Sequence, residues 1–386
     1  MSLPPPSAHG VAVLDPHDAA PAARATLRAW LALQHRGAYE PARAKALLER
    51  GDGPAAALLA LCGETPEQAL GDAAFARERE ALARGRVVLL PFGSALHPAR
   101  LAGLVDAPPL LAVRGDPAAL AGPFVAIVGA RVATRHGCAF AEDLARDLAS
   151  VGIGVVSGLA RGIDAAAHRG ALAARGVTVA IQGCGPDQVY PPEHRALADA
   201  IADRGAIVSE LPVGAPPAKH HFPLRNRLIA ALARAVVVVE ARARSGSLVT
   251  ARHAADQGRE VMAVPGAVGA PSSEGPNQLL RAGAWPVLDA SDVLAAIGLG
   301  PATAPERAAA ARATPVARPS APGWSTHPVV RALRHEPQTR DELAAALGWS
   351  AQRLAQELVA LELDGAVAEE RDGRLHVATR SQGHAQ

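Results

Sequence analysis

A basic stretch that also holds one aromatic residue and a Gly/Ser turn is the most informative part of this sequence. It begins at His221-Phe222-Pro223-Leu224-Arg225-Asn226-Arg227, continues through an apolar strand and ends at Ser245-Gly246-Ser247. From position 219 to 259 the local charge is +6, whereas the whole chain carries +2. Cations concentrated beside a ring and a Gly/Ser turn suit a phosphodiester backbone with a base stacked on the ring.

Four further turns carry residues that could bind a phosphate or act in catalysis. The first, Val128-Gly129-Ala130-Arg131-Val132-Ala133-Thr134, lacks the GxGxxG pattern of a dinucleotide site, and the next strand runs into Ser157-Gly158 without an acidic residue, which argues against NAD. A glycine followed by Arg131 and Thr134 at a helix N-terminus still suits a phosphate, because free N–H groups and the helix dipole favour an anion. The alternative is an ordinary turn with a solvated arginine.

The second turn, Ser157-Gly158-Leu159-Ala160-Arg161-Gly162-Ile163-Asp164, has two glycines that let the backbone come close to a ligand. Asp164 and His168 lie four residues apart and could form an acid/base pair. The simpler interpretation makes Asp164 a cap of the following helix and His168 a packed or surface residue.

The third and fourth turns add a ring and two more reactive groups. Gly183-Cys184-Gly185-Pro186-Asp187 is followed by Tyr190, which brings an aromatic residue to the same edge. Nothing near Cys184 in the sequence supplies the base that a thiol nucleophile needs, which disfavours that role. In the fourth turn, Ser209-Glu210-Leu211-Pro212, Glu210 could act as a base, but pairing with a basic residue is the simpler interpretation.

The composition indicates a folded protein of a reducing compartment. With 386 residues, 49% apolar and 20% charged, the chain can form two or three domains with real cores. Cys62, Cys138 and Cys184 are far apart and include no CxxC pair, which argues against disulfides and a structural zinc site. The N-terminus lacks signal-peptide features, and no apolar run reaches the length of a membrane span. We expect a cytoplasmic protein without metal, cofactor or membrane contact.

Composition shifts divide the chain into five segments. Residues 1–20 are rich in Pro and Ala and are expected to be loose, whereas residues 21–85 repeat apolar positions at helical spacing. Residues 86–298 alternate short apolar runs with helix-length stretches, and 299–325 form a Pro/Ala/Arg-rich linker. Residues 326–380 give three helices and a hairpin, the pattern of a winged helix. The helical segment is either a packing module or a SAM-like or helix-hairpin-helix-like nucleic-acid binder.

The segment 86–298 predicts an α/β fold with an extended Rossmann-like, mostly parallel sheet. Its Val/Ile/Ala runs alternate with stretches that fit one crossover helix, such as Cys138–Ser150 and Ala165–Arg175, which indicates a sheet covered on both faces. Ligands of such sheets bind at the carboxyl ends of the strands. The predicted strands are Arg86–Leu90, Leu110–Val113, Phe124–Val128, Gly154–Ser157, Val177–Ile181, Ala206–Ser209, Ala235–Glu240, Glu260–Val264 and Trp285–Leu288.

Eight ordered blocks in this segment resemble, in order and spacing, the DNA-processing protein A family (DprA, also called Smf). The resemblance covers about residues 86–298. The blocks are Gly129-x-Arg131-x-x-Thr134, Ser157-Gly158-x-Ala160-x-Gly162-Ile163-Asp164-x-x-x-His168, Gly183-x-Gly185-x-Asp187-x-x-Tyr190-Pro191, Ser209-Glu210, Phe222-Pro223-x-Arg225-Asn226-Arg227, Glu240-Ala241, Ser245-Gly246-Ser247-Leu248-x-Thr250-Ala251 and Val264-Pro265-Gly266.

The resemblance implies a Rossmann-like domain that binds single-stranded DNA and protects it. It further implies that the protein forms a homodimer and delivers the strand to a RecA-type recombinase during natural transformation. The helical N-terminal domain and the C-terminal winged helix are common additions in this family. One departure is Gln182, where the family often has a small apolar residue; it leaves the backbone role of Gly183 and Gly185 intact.

We therefore predict a DNA-binding groove without catalytic residues. The cations expected to contact phosphates are Arg131, Lys219, Arg225 and Arg227, helped by N–H groups of the Gly129, Gly158 and Gly246 turns. Phe222 is expected to stack on a base, an interaction worth roughly 1–3 kcal/mol. Asn226 contacts DNA or fixes the turn before the next strand. The full set predicted to bind DNA is Gly129, Arg131, Thr134, Ser157, Gly158, Lys219, Phe222, Arg225, Asn226, Arg227, Ser245, Gly246 and Ser247.

Two other functions compete with this one. The sheet resembles the LOG-type nucleotide phosphoribohydrolases, whose PGGxGT loop leads to a catalytic Glu and Arg. Here the corresponding turn, Ser245–Thr250, has no second glycine and no glutamate nearby on the following helix. A winged-helix transcription regulator is disfavoured because Ala351–Leu363 has Arg353 as its only basic side chain.

Overall fold

The computed structural model describes the chain at residues 13–38, 40–299, 327–333, 338–363, 366–369 and 374–377. Most of the N-terminal segment predicted to be loose and nearly all of the predicted linker lie outside these residues. The chain divides into two compact units, residues 1–303 and 304–386, and each is described by itself.

One β-sheet organises the first unit. Its strands are β1 Val87–Pro91, β2 Leu110–Gly115, β3 Phe124–Val128, β4 Gly154–Ser157, β5 Thr178–Ile181, β6 Ala206–Ser209, β7 Ala235–Val238, β8 Glu260–Ala263 and β9 Trp285–Pro286. Within the described residues they form a nine-stranded sheet in the order β1-β2-β6-β5-β4-β3-β7-β8-β9. The seven strands β3 to β9 are parallel to one another. At one edge of the sheet, β2 pairs antiparallel with β6, and β1 pairs antiparallel with β2.

Helices connect most of these strands and cover both faces of the sheet. Those of the first unit are α1 Pro21–Gly37, α2 Pro41–Glu49, α3 Pro54–Cys62, α4 Pro66–Ala69, α5 Asp72–Arg84, α6 Ala99–Ala102, α7 Arg135–Ser150, α8 Ile163–Ala173, α9 Arg195–Arg204, α10 His221–Leu232, α11 Gly246–Asp256, α12 Glu274–Arg281 and α13 Ala290–Ala296, with 3-10 turns at Pro117–Ala121 and Pro192–His194. The two layers follow from the alternation along β3. Val125 and Ile127 pack with α7 and α8, whereas Ala126 and Val128 face α10 and α11.

The N-terminal helices share a core with the edge of the sheet. Trp30, Leu31 and Leu58 of α1 and α3 are buried in one cluster with Leu89 of β1 and Leu110 of β2. In the described residues, α1 to α5 therefore pack on the antiparallel edge and belong to the first compact unit.

The second unit is a winged helix. It contains α14 Pro328–Ala332, β10 Gln338–Thr339, α15 Arg340–Leu347, α16 Ala351–Leu363, β11 Val367–Glu369 and β12 Arg374–Val377, and the strands pair in the order β10-β12-β11. A capping box between Thr339 and Glu342 starts α15, as the sequence predicts. The predicted turn at Asp372-Gly373 lies outside the described residues.

The predicted fold class is confirmed, with one local error. The strands lie within about two residues of their predicted positions, and the parallel sheet, the helical N-terminal region and the winged helix are all present. The error concerns the segment around Asn226, where we expected a turn before the strand at residues 235–240 and where the structure has helix α10. Pro223 is compatible with this helix because it lies in the first turn, where its missing N–H costs nothing. No described helix is both long and apolar enough to span a membrane.

Candidate nucleic-acid interface

A cleft of about 1160 Å³ opens at the carboxyl ends of β3, β4 and β7. The chain builds the sheet outward from β3 through β4, β5 and β6, then returns to β7 on the other side of β3 and continues to β8 and β9. The loops after β3 and β7 consequently diverge, which leaves a crevice between them. In open α/β sheets this switch point is where ligands bind. The loop after β3, the start of α10 and the start of α11 line the crevice.

Four exposed cations surround the cleft. They are Arg131, Lys219, Arg242 and Arg244. Within the described residues none of them forms an ion pair, and the one carboxylate among the lining residues, Asp164, is 7% exposed. The accessible charge of the cleft is therefore positive, and an anionic ligand would not have to displace an internal partner.

An aromatic pair stands beside these cations. The rings of Phe222 and Tyr190 have centroids 5.5 Å apart, and the Arg131 guanidinium lies 5.1 Å from the centroid of Phe222. Tyr190 is 38% exposed and Phe222 is half-buried. A side chain at Gly183 would meet the Phe222 ring at 3.0 Å, so this glycine lets the ring lie close to the backbone. The two ring planes are tilted by 37° and offer an accessible aromatic surface for stacking. Tyr190 was expected at this edge but was not among the residues predicted to bind DNA.

Arg225 forms the buried floor of the cleft. We had expected it at the mouth of the site. It is 5% exposed, and its Nη1 donates to the Gly158 carbonyl oxygen at 2.9 Å. Burial lowers the pKa of Arg225 to about 10, although nearby Asp164 acts in the opposite direction. The guanidinium is still charged at neutral pH. It lines the cleft, so it can contact only a ligand group that enters the cleft as far as its floor.

The structure contradicts the predicted position of Arg227. Residues two apart on a helix point about 200° from each other, so Arg225 and Arg227 of α10 lie on opposite sides. The Arg227 guanidinium donates to both carboxylate oxygens of Glu210 at 2.7 Å and to Asp106 at 2.7 Å. The side chain is 7% exposed and does not line the cleft. Arg227 is therefore a structural ion-pair residue, and Glu210 has the pairing role that the sequence favoured.

The N-terminus of α11 is directed at the cleft and is free of carboxylates in the described structure. Ser245 caps this helix of 11 residues, with its hydroxyl 2.7 Å from that of Ser247. The Nδ2 atom of Asn226 donates to the Gly246 carbonyl oxygen at 3.2 Å, which ties α10 to this turn. Asn226 thus has a structural role, but it holds the turn after β7 and not the turn before that strand, which was the predicted alternative to DNA contact. Gly246 is exposed, and a helix N-terminus of this kind favours a phosphate.

The N-terminus of α7, in contrast, is occupied by a carboxylate of the chain itself. Glu240, which follows β7, accepts the backbone N–H of Thr134 at 2.8 Å and the hydroxyl of the same residue. A side chain at Gly137 would collide with the Glu240 carboxylate at 2.4 Å. The prediction that this helix start and Thr134 bind a phosphate is therefore not supported by the geometry. Gly129 lines the cleft but has to be a glycine because Ile163 and the Glu240 carbonyl press against it.

The turn after β4 is likewise satisfied internally. The Asp164 carboxylate accepts the N–H groups of Gly158 at 3.1 Å and Ala160 at 3.3 Å. Ser157 is fully buried and its hydroxyl donates to the Ile127 carbonyl oxygen at 2.6 Å. Ser157 and the Gly158 N–H, both predicted to contact DNA, are thus unavailable. Asp164 lies in the first turn of α8 and holds the loop that precedes the helix, whereas the N-cap is Gly162 and has no side-chain hydrogen bond; the predicted capping role is therefore wrong.

Residues 88–298, more than half of the chain, match the family model described as DNA recombination-mediator protein A. The chain belongs to this family. Residues 301–373 match the DprA winged helix domain.

Relatives with known names support the family assignment. Protein Smf of Escherichia coli is 43% identical over 213 residues, which are 55% of this chain and 57% of that protein. The putative DNA processing protein DprA of Mycobacterium tuberculosis is 42% identical over 261 residues, 67% of this chain and 66% of that protein. The chain thus aligns with less than two thirds of either relative. The X-ray structure of DprA from Streptococcus pneumoniae superposes with a TM-score of 0.60 at 33% identity, covering 68% of this chain and 95% of that chain.

Two further groups that the sequence singled out, Cys184 and His168, are buried. Burial raises the pKa of the Cys184 thiol to about 11, so it is protonated at neutral pH. His168 is fully buried, and its Nδ1 lies 2.7 Å from the Thr178 hydroxyl, which agrees with the packed role. Within the described residues no group of His, Cys, Asp and Glu could hold a metal ion. In the winged helix, the Arg353 guanidinium lies 4.4 Å from the centroid of the Trp349 ring.

Proposed function

We propose that the chain binds single-stranded DNA in the cleft between the loops that follow β3 and β7. The observation that carries the proposal is the combination of exposed cations without ion pairs and an accessible aromatic pair at one switch point. The cations and the start of α11 would bind phosphates, and Phe222 with Tyr190 would stack on a base. Such contacts bind any sequence, because every base has a π-face and every nucleotide a phosphate.

A single strand fits this cleft better than a duplex. The aromatic surface lies inside the cleft beside the buried guanidinium of Arg225, so a base has to leave its stack to reach it. An unpaired base does so at low cost, whereas a duplex pays for unpairing and unstacking. One stack contributes roughly 1–3 kcal/mol, which corresponds to a preference of about 5- to 150-fold.

The proposed activity is binding without catalysis. The carboxylates near the cleft are engaged in structure: Asp164 with N–H groups of its loop, Glu240 with Thr134, and Glu210 with Arg227. A general base or nucleophile needs a free lone pair directed at the substrate. This arrangement favours the strand binder over the LOG-type hydrolase. Turnover of nucleoside monophosphates that disappears in Glu210→Gln would favour the hydrolase.

We further propose that the chain protects incoming single strands and passes them to a RecA-type recombinase in natural transformation, and that it acts as a homodimer. The membership in a recombination-mediator family supports this role. A cleft that holds the strand through phosphates and one stacked base leaves most base edges free for pairing by a second protein.

The test compares charge reversal inside and outside the cleft. The cleft variant carries Lys219→Glu, Arg242→Glu and Arg244→Glu. The matched control carries Arg77→Glu, Arg175→Glu and Arg204→Glu, which change the net charge equally at exposed positions that do not line the cleft. Binding of fluorescent 20-nucleotide single strands and duplexes of mixed sequence is measured by anisotropy over a salt series.

We expect the cleft variant to lose at least 100-fold in single-strand affinity and the control to lose less than 5-fold. The slope of log affinity against log salt should be about 2 smaller in magnitude for the cleft variant than for the wild type. Each of the three lost phosphate contacts accounts for roughly 0.7 of this difference. Equal losses in the two variants would show that binding follows net charge and not this cleft. A wild-type protein that prefers duplexes would contradict the single-strand assignment.

A further inference from the structure

Three arginines converge at the amino-terminal edge of the sheet, at the end of α10 opposite the cleft. Arg259 Nη2 donates to the Ala231 carbonyl oxygen at 3.3 Å, and Arg100 Nη1 donates to the Leu232 carbonyl oxygen at 3.5 Å. Arg234 immediately precedes β7, and its carbonyl oxygen accepts the N–H of Glu260, which starts the neighbouring strand. The three side chains are half-buried.

These guanidiniums have no balancing charge among the described residues. None of the three forms an ion pair, although the exposed carboxylates of Asp256 and Glu260 are close in sequence. The carbonyl end of α10 supplies roughly half a negative charge, which offsets only a small part of three full positive charges. A helix-capping role alone would therefore need one arginine and not three.

The hydrogen bonds of this cluster are also incomplete. The Nε atoms of Arg234 and Arg259 are buried and have no partner in the described structure. A buried donor without a partner destabilises the fold, and more so when it is charged. The pKa of Arg100 is lowered, first by burial and then by the charges of Arg259 and Arg234, which agrees with mutual repulsion. An anion that bound here would relieve both the repulsion and the unmet donors.

We propose that Arg100, Arg234 and Arg259 form a second phosphate-binding site, separate from the cleft. Arginine suits this ligand because its planar fork donates two parallel hydrogen bonds to phosphate oxygens. The phosphate has two sources, a free phosphate ion or the backbone of a strand that extends beyond the cleft. Only the second source depends on the proposed DNA binding.

The length of α10 sets the strand length that distinguishes these sources. Its 12 residues span about 18 Å between the cleft and the arginine cluster, at 1.5 Å per residue. A strand that keeps the duplex spacing of about 3.4 Å per nucleotide needs about five nucleotides to cross this distance, in addition to those that fill the cleft and those that pass around the surface. A 6-nucleotide strand is therefore too short to fill the cleft and the cluster together, whereas a 20-nucleotide strand is long enough.

The first arm uses full-length protein with sodium phosphate, or with sodium chloride at equal ionic strength, and follows thermal unfolding. The cluster variant carries Arg234→Gln and Arg259→Gln, and its charge-preserving partner carries Arg234→Lys and Arg259→Lys. We expect phosphate to raise the Tm of the wild type and of the lysine variant clearly more than that of the glutamine variant, which keeps only the phosphate contacts of the cleft. In the cleft variant, the part of the rise that comes from the cluster should remain. A folded glutamine variant with an unchanged phosphate response would overturn the free-phosphate source.

The second arm measures affinity for 6- and 20-nucleotide strands. If the backbone is the ligand, the glutamine variant should lose about 10-fold for the longer strand and less than 2-fold for the shorter one, with recovery in the lysine variant. The cleft variant should lose affinity for both lengths, so failure of the cluster and failure of the cleft give different patterns. If neither phosphate stabilisation nor the length-dependent loss distinguishes the folded glutamine variant from wild type, the proposed site does not exist.

Discussion

Replacing Arg227 with glutamine is predicted to destabilise the fold and to leave DNA binding nearly unchanged. The sequence placed this arginine among the phosphate contacts, but its guanidinium donates to both carboxylate oxygens of Glu210 and to Asp106. Burial alone would lower the pKa of Arg227, yet the two carboxylates raise it above its ordinary value. The guanidinium therefore stays protonated, and its charge is neutralised by carboxylates inside the protein.

The magnitude follows from how deeply each partner is buried. The side chains of Arg227 and Glu210 are 7% and 13% exposed, and removing one partner of such a pair costs about 3–5 kcal/mol because the other charge remains buried alone. Asp106 is 40% exposed, so that pair adds at most about 1 kcal/mol. At about 2–4 °C per kcal/mol for a domain of 150–250 residues, the loss of the Glu210 pair lowers the Tm by about 6–20 °C.

Thermal unfolding and single-strand anisotropy at 20 °C, where the variant is still folded, measure the two effects separately. We expect Arg227→Gln to keep its affinity within about 3-fold of the wild type. Arg242→Gln is the matched control, because this arginine is exposed and lines the cleft; it should keep the Tm and lose affinity. An Arg227→Gln protein with a wild-type Tm and at least 10-fold weaker binding would refute the assignment of Arg227 to the core.

Two other predictions test the ring and the buried histidines. Phe222→Ala should cost roughly 1–3 kcal/mol in single-strand affinity with little change in the salt slope, since stacking releases no counterions; a lower Tm with proportional loss of binding would instead place the ring in the core. Burial lowers the pKa of His168 to about 3 and that of His97 to about 4, so the native state keeps both neutral, while unfolded histidine titrates near 6.5. The free energy of unfolding should therefore be highest above pH 6.5. It should fall by up to about 1.4 kcal/mol per pH unit for each histidine as the pH decreases to 5. A urea midpoint that does not change over this range would contradict the burial of these rings.

The parallel sheet was predictable because its signal is local. A strand buried on both faces needs an uninterrupted apolar run, as in Phe124–Val128, and each run is followed by a helix-length stretch. The start of α10 was not predictable in the same way. Phe222-Pro223 has the local appearance of a turn, and the helix depends on burial of Leu228, Ile229 and Leu232 against the sheet, which is a tertiary effect.

The location of the cleft was predictable, but the positions of its arginines were not. Loops at the carboxyl ends of the strands, the exposed Lys219 and the ring of Phe222 are all where the sequence placed them. Arg225 and Arg227 point to opposite sides because α10 is helical. In an extended segment, side chains two residues apart would point to the same side. Arg242 and Arg244 belonged to the basic stretch from the outset, but nothing in their spacing distinguishes a cleft cation from a surface cation.

The helix N-termini at this edge show why glycine turns alone do not locate a phosphate. The helices α7, α8 and α11 all begin beside the cleft, and each start offers N–H groups and a positive dipole end. Glu240 occupies the first, and Asp164 occupies the loop before the second. At the third, the Glu274 carboxylate accepts the N–H of Ala243 at 3.3 Å in the preceding loop, but the first turn of α11 itself has no acidic residue. The residue that closes α7 lies 106 positions away from Thr134 and becomes its neighbour only because β7 pairs with β3. A ligand phosphate would compete with a fixed carboxylate at α7 and α8 but not at α11. The proposed backbone contact is therefore strongest at Ser245 and Gly246, beside the two exposed arginines of the same loop.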